Sequence, residues 1–108
     1  MELKTKKIKG YTIVELPDVV NYEVNLSFKT KLEDICKKDN QKVGVDLSQV
    51  SFIGSLGIGL MAFAKKLVED SGGTFCLVSP NESITRIITR TGLKKVFSVV
   101  KDDSELGK

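Results

Sequence analysis

The 108-residue sequence predicts an α/β fold: a mixed sheet of about five strands flanked by three to four helices, in the order β-β-α-β-α-β-α-β with a final helical turn. Three observations predict it. Short β-branched and aromatic runs recur at residues 11–16, 43–47, 74–78 and 96–100, as half-buried or enclosed strands require. Between them, apolar residues fall at spacings of three and four, the stripe of an amphipathic helix. Glycine, proline and asparagine stand where one period gives way to the other, the places where a chain must turn.

Taken in order, Leu3 and Ile8 flank a lysine-rich segment, and Gly10 precedes Tyr11-Thr12-Ile13-Val14-Glu15-Leu16, so a hairpin turning near Lys9-Gly10 is expected. Its first strand, with Lys4, Lys6, Lys7 and Lys9, suits a sheet edge, where solvated lysines discourage pairing with another chain. Val24, Phe28, Leu32, Ile35 and Cys36 form the stripe of a first helix, closed by Lys37-Lys38-Asp39-Asn40. Val43-Gly44-Val45-Asp46-Leu47 has the unbroken apolar character of an interior strand. After a glycine-rich turn, Leu60, Phe63, Ala64 and Leu67 mark a second helix, which Gly72-Gly73 stops before the strand Thr74-Phe75-Cys76-Leu77-Val78. That makes a βαβ unit. Ser79-Pro80-Asn81-Glu82 then reads as an N-cap, a proline at the first helical position and a capping-box glutamate. Ile84, Ile87 and Ile88 carry the buried stripe of a third helix ended by Gly92, Val96-Phe97-Ser98-Val99-Val100 reads as the last strand, and residues 102–106 as a short terminal helix.

Composition narrows the function. Hydrophobic residues make up 41% and charged residues 29%, values for one globular domain spanning 1–108, and the formal net charge is +3. Histidine is absent, so neither a Ser-His-Asp triad, nor a Cys-His pair, nor a two-histidine metal site can be built. Cys36 and Cys76 lie too far apart in sequence for a redox or zinc motif, and each sits in an apolar context that suits a buried free thiol. The basic N-terminal segment lacks the stacking aromatics and arginine stripes of nucleic-acid modules: tryptophan is absent, and the two arginines are Arg86 and Arg90. No apolar stretch approaches the roughly 20 residues needed to cross a bilayer, and no signal peptide is legible. These readings predict a cytoplasmic protein with no cofactor, no metal, no nucleic-acid or membrane partner and no catalytic residue. With no heptad and no long apolar edge, a monomer is expected.

One stretch exceeds what a plain core needs: Ile53-Gly54-Ser55-Leu56-Gly57-Ile58-Gly59, between a buried strand and a helix start. The spacing G-x-x-G-x-G is neither the dinucleotide fingerprint nor a P-loop, and Ile53 two residues before Ser55 excludes the hydrolase elbow. What remains is Ser55, read as the N-cap of the second helix. As a plain cap it contributes about 1 kcal/mol. The same geometry accommodates a phosphate at the positive helix end, and about −1.5 to −2 charges there would repel a partner docked over Ile53, Leu56 and Ile58. Asp46, at the end of its strand, is expected to satisfy loop N–H groups and, with Ser48, to support this loop.

The run Val43-Gly-Val-Asp46-Leu47-Ser48-Gln-Val50-Ser-Phe52-Ile53-Gly54-Ser55-Leu56-Gly57-Ile58-Gly59-Leu60 resembles the signature of bacterial anti-sigma-factor antagonists, the STAS domain. Gly72-Gly73, the strand ending in Ser79-Pro80, and Thr91-Gly92-Leu93-Lys-Lys-Val96-Phe97 match it too. The resemblance implies a sheet flanked by helices that binds an anti-sigma factor with a kinase-like ATPase fold, so freeing a sigma factor. It also implies that this partner acts as a serine kinase on the first serine of the motif, here Ser55, and that a serine phosphatase reverses the modification. Two positions depart from the pattern: Gly54 stands for the usual aspartate, and Leu56 for a small residue. They leave open an alternative, a STAS module of another signalling assembly, or one that binds a small ligand, without phosphorylation.

Overall fold

A computed structural model describes residues 3–106. Strands β1 (Thr5–Ile8) and β2 (Tyr11–Glu15) form the expected hairpin. Lys9 and Gly10 both take positive φ, 51° and 84°, which matches a two-residue turn to the twist of the strands. Helix α1 (Tyr22–Ile35), β3 (Lys42–Asp46), α2 (Ser55–Asp70), β4 (Thr74–Val78), α3 (Glu82–Arg90) and β5 (Val99–Val100) follow, with short 3-10 turns at Leu93–Lys95 and Asp103–Glu105. The five strands lie side by side in sequence order. β1 is antiparallel to β2, and every later pair is parallel.

That arrangement explains the composition of each strand. β3 is the middle strand, buried over its last four residues, hence its apolar run, whereas the lysines of β1 sit on the sheet edge as expected. Alternation along the strands sends Val14, Val43, Val45, Phe75 and Leu77 to one face, where Phe28 and Leu32 of α1, Leu60, Met61 and Ala64 of α2, and Ile84 and Ile88 of α3 cover them. Tyr11, Ile13, Cys76 and Val78 point to the opposite face, which is closed by Leu106. There the Lys9 Nζ donates to the Ser104 carbonyl at 2.8 Å, tying the terminal turn to the first hairpin.

Three boundaries differ from the sequence reading. Residues 96 and 97 are not strand: the N–H groups of Val96 and Phe97 both donate to the Leu93 carbonyl at 2.9 Å, so their backbone is spent closing a turn. Phe97 is instead buried with its ring 6.3 Å from that of Phe75, and the strand is reduced to Val99–Val100. The cap of α3 falls two residues later than expected. Ser79 takes a left-handed φ of 54° and donates its N–H to the Val100 carbonyl, which leaves Asn81 as the N-cap, its Oδ1 accepting from Ile84 N at 2.9 Å. α1 ends at Ile35, so Asn40, left-handed at φ 61°, shapes the turn into β3 rather than capping the helix.

Both cysteines are free. Burial pushes the Cys76 thiol up to about 11, and burial likewise raises Cys36, opposed in part by a hydrogen bond with Ser71. A thiol held protonated in the folded chain but ionising near 9 in the unfolded one contributes stability that is complete below pH 9 and is lost as pH rises toward 11. Tyr11, also raised by burial, acts in the same sense. Urea denaturation across that window is expected to show a declining unfolding free energy, with a shallower decline in Cys76→Ala; equal slopes would refute the assignment to Cys76.

Candidate functional site

Parallel strands β2, β3 and β4 end at the same edge of the sheet, so the loops that leave them meet there. These loops comprise residues 16–21, 47–54 and 79–81. Ligands and partners of open α/β sheets engage this edge, because it collects loop side chains and helix N-termini. Asp46 is the last residue of β3. Its buried side chain accepts from the Ser48 N–H at 2.8 Å through Oδ1, and the Lys6 ammonium lies 3.4 Å from Oδ2. The Leu47 N–H bonds Val78 O and the Val50 N–H bonds Leu47 O, so the chain turns tightly out of the strand. Ser48 contributes its backbone donor to that turn, and its side chain is exposed.

The loop is then fastened on both sides. Toward β2, Val19 pairs with Phe52 in an isolated parallel bridge, Ser51 N donates to Asp18 O at 2.9 Å, and the Ser51 hydroxyl donates to the Asp18 carboxylate. Toward β4, the Asn81 side-chain amide donates to Val50 O. Sequence reading missed Asp18, Ser51 and Asn81 as supports, because their partners lie 31 to 33 residues away and no local period signals them.

Ser55 is the first helical residue of α2 rather than its cap. Gly54 occupies the cap position with φ −95° and ψ −165°. It has no side chain with which to hold the first turn, and that turn carries no acidic residue. α1 and α3 are finished differently, with asparagine caps at Asn21 and Asn81 and Glu23 and Glu82 in their first turns. The leading N–H groups of a helix lack partners within it, so the positive end of α2 stands uncompensated by any side chain of its own first turn. Ser55 is exposed there.

The surrounding apolar residues divide in a way that the sequence did not reveal. Ile53, expected on the surface, is 7% exposed and belongs to the core; Gly57 is buried and Ile58 half-buried. The outward-facing groups are Leu56, 46% exposed, and Phe52, 61% exposed. Val19 and Tyr22 of the neighbouring loop and helix are exposed as well, as is Phe63 of α2, over which the Lys29 ammonium sits 5.2 Å from the ring centre. Phe52 was legible only as part of an apolar patch; its bridge to Val19 turns its ring outward.

The glycines have separate roles. A Cβ on Gly57 would lie 2.3 Å from Ile53 Cγ1, whereas one on Gly59 meets nothing within 4 Å. Gly57→Ala is therefore expected to cost about 1–3 kcal/mol through overpacking against Ile53. Gly59→Ala is expected to stabilise by up to about 1 kcal/mol through helix propensity. Thermal denaturation of the two variants tests this, and a stabilised Gly57→Ala would refute the packing argument.

Among the described residues, no group of three or more metal-ligating side chains converges, and no helix is long and apolar enough to cross a membrane. Against known proteins, residues 2–106 match the family model described as STAS domain. A Thermotoga maritima relative named "Putative anti-sigma factor antagonist" is 33% identical over 101 residues, covering 92% of this chain and 89% of the relative. The NMR structure of TM1081, from the same organism, superposes with a TM-score of 0.80 at 29% identity, over 94% of this chain and 82% of that one. The anti-sigma factor antagonist SpoIIAA in its unphosphorylated form shares the fold at 13% identity, with a TM-score of 0.74 over 94% and 90% of the two chains. With a family match spanning nearly every residue and a mixed five-stranded sheet of the same architecture, this chain belongs to the STAS domain family.

Proposed function

We propose that this chain is an anti-sigma factor antagonist acting as one module over residues 1–108. Its partner would be an anti-sigma factor of the kinase-like ATPase fold, docked over Phe52, Ser55 and Leu56 at the start of α2. Gly54 and Gly59 keep that surface low, Gly57 makes room beneath it for Ile53, Ile53 and Ile58 support it from below, and Asp46 and Ser48 hold the loop. The observation that carries the reading is the exposed Ser55 on an uncapped, acid-free helix end, beside two exposed apolar side chains.

The switch follows from electrostatics. A phosphate on Ser55 carries about −1.5 to −2 charges near neutral pH and suits the open N–H groups and positive end of α2, so the fold tolerates it. A partner seated on Phe52 and Leu56 would have to strip water from the same dianion, and that desolvation expels it. The unmodified form binds the anti-sigma factor and so frees the sigma factor, the partner kinase modifies Ser55, and a serine phosphatase resets the chain. The role is binding without turnover, with no metal or cofactor.

Gly54 favours one further reading. Its absent Cβ would lie 3.3 Å from the Phe52 ring, so the ring crowds the position where the family signature has a carboxylate. A kinase that depends on that carboxylate would not modify Ser55, and the module would bind a partner or small ligand without a phosphate switch.

Incubation with an anti-sigma factor kinase from the same genome and ATP is expected to add one phosphate to the intact mass, abolished in Ser55→Ala. Titration calorimetry is expected to show binding retained by Ser55→Ala and weakened at least tenfold by Ser55→Asp, the scale of about 1.4 kcal/mol. A complex indifferent to Ser55→Asp would exclude the switch and leave the second reading.

A further inference from the structure

The third helix and the Ser55 loop share one side chain. Asn81 caps α3 through Oδ1, accepting from Ile84 N at 2.9 Å, and with the other half of the same amide it donates to the carbonyl of Val50. The orientation of the amide is fixed by its partners, since a backbone N–H requires the oxygen and a carbonyl requires the nitrogen. Val50 is fully buried and anchors the turn that leads to Ser55. The left-handed Ser79 brings Asn81 to this position, displacing the cap two residues along the chain.

We propose that Asn81 is a positioning residue for the Ser55 surface: its amide N–H₂ fixes the 50–54 loop against the start of α3 and so presents Phe52, Ser55 and Leu56 to the partner in one arrangement. Capping alone does not require an asparagine. Aspartate caps helices about as well but, ionised, carries no donor; serine caps too, but its one O–H sits on the capping oxygen itself, one bond nearer the backbone than the amide nitrogen. The amide is the residue type that performs both tasks at once. On the opposite side of the loop, the Asp18 carboxylate holds the Ser51 hydroxyl, so the Val50 tether completes a two-sided clamp. The consequence for partner binding rests on the proposed function; the consequence for the loop does not.

The test separates the two halves of the amide. Asn81→Asp keeps an acceptor for Ile84 N and loses the donor to Val50 O; Asn81→Ser keeps the acceptor and draws its one O–H back from Val50 O by a bond; Asn81→Ala loses both. Hydrogen–deuterium exchange on the full chain is expected to show faster exchange at residues 50–56 in all three variants. The Ile84 amide should stay protected in the serine and aspartate variants and lose protection in the alanine one. With the anti-sigma factor kinase used above, the two cap-preserving variants are expected to bind about five- to tenfold more weakly and to show a raised KM for Ser55 phosphorylation, as loss of one ordering hydrogen bond implies. Unchanged exchange at residues 50–56 in the serine and aspartate variants would overturn the tether. Faster loop exchange with unchanged affinity and KM would overturn its role in presenting Ser55. If the wild-type chain neither binds nor is phosphorylated, the proposed function and the presentation of Ser55 fall together, and the exchange data still decide whether Asn81 holds the loop.

Discussion

The enclosure of β3 is the constraint on which the other features depend. A parallel strand flanked by β2 and β4 must be covered on its faces, and successive parallel strands in sequence order require each connection to run back along the sheet. With α1, α2 and α3 packed on the same face, the strands' carboxyl ends and the helix starts are brought to one edge. The candidate site lies there because the topology leaves the loops nowhere else to gather. Gly44 shows how tight the enclosure is: a Cβ at that position would lie 2.7 Å from Ile13 Cδ1 and 3.1 Å from Val78 Cγ2.

Along that edge, the three helices are finished differently. α1 and α3 spend an asparagine and a glutamate apiece on their N-termini, and both begin quietly as structural elements. α2 begins with Gly54 and Ser55, forgoing a side-chain cap at a cost of about a few tenths of a kcal/mol. A helix start left unsatisfied by its own side chains, at an edge where exposed aromatic and aliphatic groups collect, departs from local optimisation. Such departures are where function is to be sought.

The strands, helices and their order were legible because each has a strong period: the stripe of α1, the unbroken run of β3, and the glycines after α2. The loop at Ser55 was legible because its glycine spacing is unusual. What escaped sequence reading depends on distant partners. Ser79 and Asn81 are both acceptable caps, and only the Val100 carbonyl, which binds the Ser79 N–H, decides between them. Ile53 and Phe52 are adjacent apolar residues, and the Val19 bridge determines that Phe52 faces out while Ile53 faces the core. Residues 96 and 97 satisfy every strand preference, yet their N–H groups are claimed by Leu93.

The closure of the rear sheet face by Leu106 also has a kinetic meaning. The unit β3-α2-β4 brings together segments close in sequence, so its ordering entropy is repaid early. The contact of Lys9 with Ser104 joins groups 95 positions apart, and Leu106 has a surface to rest on only when β2 and β4 are already joined through β3. Since loop-closure entropy grows with separation, this contact forms after the sheet it seals. The Asp103–Glu105 turn then acts as the final fastening of the sheet, joined to the first hairpin through Lys9.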